Sequence, residues 1–103
     1  MNERVVRLLG LGLRGGGGRV VVGVGGVRKQ LQRGGLRCVV LARDASARTL
    51  EKVERLARAR GVPIVRGPGA FELGHGLGRP PVQAVGVADA ALARGLVGLW
   101  RSE

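Results

Sequence analysis

No acidic residue lies between Glu3 and Asp44, although the same stretch carries nine basic ones: Arg4, Arg7, Arg14, Arg19, Arg28, Lys29, Arg33, Arg37 and Arg43. A segment of one charge sign repels itself, and an anionic partner is the simplest use for it. Aromatic residues are almost absent, limited to Phe71 and Trp100 with no Tyr. That argues against modules that stack successive bases on several aromatic platforms. A single Cys (Cys38) and a single His (His75) exclude an internal disulfide and Cys/His zinc sites. Ser46 and Ser102 are the only serines, and neither sits in a nucleophile-elbow context. Glu51 and Glu54 share a helical pattern amid bases and read as a salt-bridged surface. With no catalytic constellation, the expectation is a protein that is not an enzyme, uses no cofactor or metal and takes no small-molecule substrate. No apolar run approaches the ~20 residues of a membrane span. The start of the chain, MNERVVRLL, lacks the long apolar core and cleavage site of a secretory signal. A cytoplasmic protein without a membrane partner is expected by default.

A chain of 103 residues predicts one domain, residues 1–103. Its formal net charge of +11 points to nucleic acid first and an anionic membrane surface second. Arg outnumbers Lys sixteen to two, and Gly reaches 20. Compositional bias of this kind raises net charge without any partner, but it does not explain why acids are missing from one region only.

Helical and strand patterns alternate along the chain. Residues 2–13 place Val5, Leu8, Leu9 and Leu13 near the helical period, weakened by Gly10 and Gly12, and Gly15–Gly18 breaks the pattern. Arg19–Val22 is a short β-branched run, read as a strand. Residues 24–33 put Val24, Val27 and Leu31 on one helical face with a basic flank, closed by Gly34-Gly35. Cys38–Ala42 is a continuous apolar run, the mark of a central strand buried on both faces. Asp44-Ala45-Ser46 offers caps for a helix over 47–60, with Leu50, Val53, Leu56 and Ala57 as its core face and Glu51–Arg55 as a favourable i,i+4 pair. Ile64–Val65 follows as a strand, Gly67-Pro68-Gly69 as a turn, and Ala70–Leu77 as a short helix. Pro80 and Pro81 stiffen a loop. Val82–Ala88 is the last strand, and Asp89 caps a helix ending near Leu99. The predicted fold class is α/β: a three-layer α-β-α sandwich around a central mixed sheet of about four strands.

Three glycine-rich motifs need separate readings. Gly10-Leu11-Gly12-Leu13-Arg14-Gly15 matches G-x-G-x-x-G, but no strand precedes it, a strand rather than a helix follows, and no acid lies about 20 residues on to hold a ribose. Gly15–Gly18 lacks the Lys-Ser/Thr pair of a phosphate loop and reads as a flexible connection. Val20–Gly34 is more informative: a strand enters a Gly-rich turn that opens a basic helix. A helix N-terminus presents free N–H groups and a positive dipole end to phosphate or RNA. Gly25 and Gly26 permit close backbone approach, and Lys29 and Arg33 lie one turn apart on one face. Cys38, mid-strand among apolar neighbours, reads as a small buried hydrophobe.

The chain resembles the L7Ae-type ribosomal-protein family, which binds kink-turn RNA, and looks closest to its small bacterial members. The resemblance covers about residues 4–94. It is carried by Leu8-Leu9-Gly10-Leu11, Gly23-x-x-x-Val27-x-Lys29, Val39-Val40-Leu41-Ala42-x-Asp44-Ala45-Ser46-x-x-Thr49, Arg60-Gly61-Val62-Pro63, Glu72-Leu73-Gly74 with Gly78, and Val85-x-Val87-x-Asp89, in this order and spacing. It implies an α-β-α sandwich and recognition of sharply bent RNA with tandem sheared G·A pairs, read by shape rather than as a regular duplex. By position, Gly25, Gly26 and Lys29 match the groove-reading residues of the family. Arg33 matches a basic backbone contact, and Arg79, Pro80 and the following residues to Val82 match a loop that packs on an extruded nucleotide. Strong binders in the family carry a polar pair, often Asn-Glu, where this chain has Gly25-Gly26. The departure implies contact through backbone and Lys29, with a larger phosphate share and a steep salt dependence.

The sequence thus predicts a non-enzymatic, ribosome-associated protein that binds structured, kink-turn-like RNA. Its expected contact residues are Gly25, Gly26, Arg28, Lys29, Arg33, Arg43, Arg79, Pro80 and Val82. The alternative is a protein-interaction module on the same fold with weak or nonspecific RNA binding.

Overall fold

A computed structural model describes residues 2–16 and 18–101 of the chain. Gly17 of the glycine run and Ser102 lie outside the described residues. Five helices and four strands alternate: α1 (Asn2–Arg14), β1 (Val20–Val22), α2 (Val24–Arg33), β2 (Cys38–Leu41), α3 (47–59), β3 (Ile64–Arg66), α4 (Ala70–Gly76), β4 (Ala84–Val87) and α5 (Ala90–Arg101). The middle of α3, Leu50–Glu54, winds as a π-helical segment. Its capping follows the sequence: Ser46 Oγ accepts from Thr49 N at 3.2 Å. Val53 and Ala57 are buried, with Leu50 and Leu56 packed against the same cluster.

The sheet order is β1-β4-β2-β3. β2 and β3 pair in parallel, and β4 runs antiparallel to both β1 and β2. Registers such as Val20 opposite Val87, Cys38 opposite Val87 and Val40 opposite Val65 align the β-branched residues. The two-residue period of a strand then divides them between two cores. Cys38, Val40, Val65, Val85 and Val87 face α1, α4 and α5, where Val5, Leu9, Leu73 and Leu96 are buried. Val39, Leu41 and Ala84 face α2 and α3, against Val27, Leu31, Val53 and Ala57. Leu36 fills the second core over Gly86, where a Cβ would approach Leu36 Cδ1 to 2.7 Å. The result is the predicted three-layer α-β-α sandwich with a mixed four-stranded sheet.

Two details depart from the sequence expectation. The last strand is shorter than Val82–Ala88: Val82 N donates to Ala70 O at 3.0 Å rather than to a strand, and the register of β4 with β2 begins at Ala84 opposite Leu41. The G-x-G-x-x-G match falls in the second half of α1 and its end, not in a strand-to-helix turn. There Gly12 serves packing: a Cβ would come within 2.5 Å of Leu92 Cδ2 and 2.7 Å of Val20 Cγ2, so α1 crosses α5 and β1 only over a bare backbone. Cys38 is fully buried, and that burial pushes its thiol up to about 12, which makes it inert as a nucleophile.

Candidate functional site

Strand direction decides which loops meet. β1, β2 and β3 all point the same way, so their carboxyl ends, the start of α2, the start of α3, the start of α4 and the loop leading into β4 share one end of the sheet, here the upper end. In open α/β sheets this is the end that commonly holds ligands. The lower end carries the starts of β1, β2 and β3 and the start of α5.

α2 begins at Gly23, whose φ of 105° is a glycine conformation. Gly23 N donates to Ala84 O at 2.9 Å, which fastens the start of α2 to the start of β4. No side chain caps α2, and its first turn carries no acid. Its free N–H groups and dipole end are therefore open to an anion. The two glycines of this turn differ. A Cβ on Gly26 would come within 2.7 Å of Val21 Cγ1, so its bareness lets α2 lie close on β1. A Cβ on Gly25 would meet nothing within 4 Å; that position is exposed.

Beyond the turn, Arg28 is half-buried, with its Nε buried and no hydrogen-bond partner, while Lys29 is exposed. Arg33 is exposed in the last turn, roughly 13 Å along the axis from Val24. It therefore lies toward the lower end, away from the turn at Gly23.

Arg43 leaves β2 beside α4. Its backbone N donates to Pro68 O at 2.9 Å, and its exposed guanidinium lies 3.6 Å from Glu72 Oε1. Asp44 Oδ1 caps α4, accepting from Ala70 N at 2.8 Å. Gln83 links two loops: its Oε1 accepts from Ser46 N at 2.9 Å, and its backbone O accepts from Ala42 N at 2.9 Å. The loop before β4 is held from below. Arg79 N donates to Gly74 O at 2.8 Å, and Pro80 presses on Gly74 so closely that a Cβ there would collide with its carbonyl. Arg79 and Pro80 are exposed, whereas Val82 is 7% exposed and belongs to the core. Val82 anchors the loop rather than offering a surface.

Gly25, Arg28, Lys29, Arg43, Arg79 and Pro80 thus share one rigid end of the sheet. Gly26 and Val82 support it from within, whereas Arg33, at the far end of α2, is not brought to it. Sequence reasoning missed Gln83, Gly74 and Glu72 as its struts, and missed Asp44 as the cap of α4 rather than α3. Their partners lie up to 37 residues away, so no local pattern marks them. His75 stacks on Phe71 with ring centroids 5.7 Å apart. Among the described residues no three His, Cys, Asp or Glu side chains gather for a metal, and no helix is long and apolar enough to cross a membrane. The upper end offers backbone N–H donors, guanidinium and ammonium groups and a proline-stiffened loop, which is chemistry for holding an anionic polymer.

Comparison with known proteins agrees with this architecture. A protein of unknown function from Bacillus halodurans C superposes with a TM-score of 0.87 at 28% identity, covering 95% of this chain and 97% of its own. The large ribosomal subunit protein eL30 of Pyrobaculum calidifontis is 35% identical over 74 residues, 70% of this chain and 73% of its own length. Residues 13–97, which include every strand, helices α2 to α4 and most of α5, match the ribosomal protein L7Ae/L30e/S12e/Gadd45 family, and the chain belongs to that family.

Proposed function

We propose that this chain is a non-enzymatic, ribosome-associated RNA-binding protein that recognises structured, kink-turn-like RNA at the upper end of its sheet. The observation that carries the reading is the Gly23 N–Ala84 O hydrogen bond, which sets the uncapped start of α2 beside the Arg79–Pro80 loop. A bent RNA can then present its groove to α2 and an unstacked nucleotide to the loop at the same time. Membership of a ribosomal protein family and the eL30 relative support the class of partner.

In this reading the α2 N-terminus and Gly25 approach the groove through backbone N–H groups, and Lys29 bonds within it. Arg28 and Arg43 meet phosphates at this end, and Arg33 meets the backbone of an RNA that continues along α2. Arg79 and Pro80 cover the extruded nucleotide. With no side chain at Gly25, phosphate contacts carry most of the affinity, so binding falls steeply with salt.

Titration of a kink-turn hairpin and a straight duplex at two salt concentrations tests this. The hairpin should bind more tightly at both, and Lys29→Ala should weaken it about tenfold, as for loss of a charged hydrogen bond. Equal affinity for the two RNAs would remove the kink-turn reading and leave a protein-interaction module with nonspecific RNA binding.

A further inference from the structure

The lower end of the sheet carries a second basic surface, made of residues other than those assigned above, of which only Arg33 also lies toward this end. Arg37 precedes β2 and Pro63 precedes β3. α5 lies beside them and lines the same groove, of about 380 Å³, with Ala90, Arg94, Val97 and Arg101. Among the described residues no carboxylate lines this groove. Asp89, next to Ala90, is engaged elsewhere: Oδ1 accepts from Ala91 N at 2.9 Å, and Oδ2 lies 4.0 Å from Arg19 Nε. Arg37, Arg94 and Arg101 are exposed, and among the described residues none has a carboxylate within ion-pair distance, whereas Arg43, Arg55 and Arg58 each do.

Three unpaired guanidiniums around an apolar floor of Pro63 and Val97 repel one another until an anion joins them. Guanidinium forks match phosphate oxygens bidentately. Arg94 and Arg101 stand two turns apart on one face of α5, about 10 Å along the axis. One phosphate cannot serve both, but successive phosphates of an extended strand can. We propose that this groove is a second RNA-contact site that takes the phosphate backbone of a single-stranded segment, so that the protein holds two RNA segments at opposite ends of its sheet. The proposal rests on the RNA reading for its ligand, but on a disjoint set of residues.

The test measures binding of a twelve-nucleotide oligouridine and of the kink-turn hairpin to the full chain across a salt series. Replacing the three arginines together (Arg37→Gln, Arg94→Gln, Arg101→Gln) should lower oligouridine affinity at least tenfold. It should also flatten the log–log salt slope by about two, at roughly 0.7 per single-strand phosphate. Preference for the hairpin over a duplex should survive. A charge-matched control (Arg48→Gln, Arg55→Gln, Arg60→Gln) should change oligouridine binding less than threefold. Ala90→Glu should reproduce the loss while keeping the fold, because an acid in a first helical turn is favourable. A triple variant that binds oligouridine like wild type, or no worse than the control, overturns the second site and leaves the upper-end reading intact. Loss of oligouridine binding in a protein that never distinguished hairpin from duplex keeps the groove and removes the kink-turn reading instead.

Discussion

The two ends of the sheet are both basic and are built in different ways. The upper end is held by polar contacts that cross the chain: Asp44 to Ala70, Gln83 to Ser46 and to Ala42, Gly23 to Ala84 and Arg79 to Gly74. Its bases are Arg28, Lys29, Arg43 and Arg79, and one of them, Arg43, is partnered by Glu72. The lower groove has arginines on an apolar floor and, among the described residues, no carboxylate. An end that must present one shape needs struts, because each unmet backbone group and each free loop would blur it. An end that grips a flexible polyanion needs only charge and reach. The acid-free stretch feeds both. Arg28, Lys29 and Arg43 lie toward the upper end, while Arg14, Arg19 and Arg37 lie toward the lower one, because each helix-to-strand passage carries the chain from one end to the other.

The strongest way to break this contrast is Gly74→Ala. The new methyl group meets the Pro80 carbonyl, which helix α4 and the loop cannot both avoid. Overpacking against backbone should cost about 3 kcal/mol, lowering Tm by roughly 12–20 °C in thermal denaturation of a domain this size. RNA discrimination at the upper end should fail well below that Tm, while oligouridine binding at the lower groove persists.

A finer cut separates the paired glycines. Gly26→Ala pushes on Val21 and should destabilise by about 1–2 kcal/mol, whereas Gly25→Ala enters open space and should stabilise by up to about 1 kcal/mol through helix propensity. Urea denaturation of the two variants should shift the midpoint in opposite directions; a shift of the same sign would mean that the turn does not distinguish them.

Cys38, buried at the start of β2, provides a pH test of the core itself. In the folded chain burial raises its thiol from the ordinary 9.0 to about 12. The unfolded chain therefore releases this proton first, and stability present below pH 9 is lost as the pH climbs toward 12. Cys38→Ala should lose less stability than wild type between pH 8 and pH 10.5 in chemical denaturation.

The smallest expected effect is at the exposed Arg43–Glu72 pair. Glu72→Gln should alter stability by less than about 1 kcal/mol, but it frees Arg43 for phosphate. Hairpin affinity should rise about twofold to threefold at low salt, with no change for oligouridine.

Much of the fold was legible in the sequence, for physical reasons specific to each element. The apolar run at 38–42 marked a strand buried on both faces, and β2 is buried throughout. Leu50, Val53, Leu56 and Ala57 marked the inner face of α3, and Asp89 caps α5 by accepting from Ala91 N. The basic helix after Gly23 was visible as a candidate contact surface because charge, turn and helix signals are all local. The Arg37–Arg94–Arg101 groove was not, since its members come from positions up to 64 residues apart and look like dispersed surface charge. Val82 read as part of a surface loop because its neighbours are Arg79, Pro80 and Pro81; its burial depends on the hydrogen bond to Ala70 O.

By itself, then, the sequence determined the order of helices and strands, the faces that each buries and the excess of positive charge, since these follow from side-chain period, turn chemistry and composition. Only the tertiary structure decided that β4 lies between β1 and β2, that Gly26 is a packing contact while Gly25 is open, and that Arg37, Arg94 and Arg101 line one groove. Those outcomes depend on which distant strands pair and which backbones touch, and such long-range contacts leave no local pattern to read.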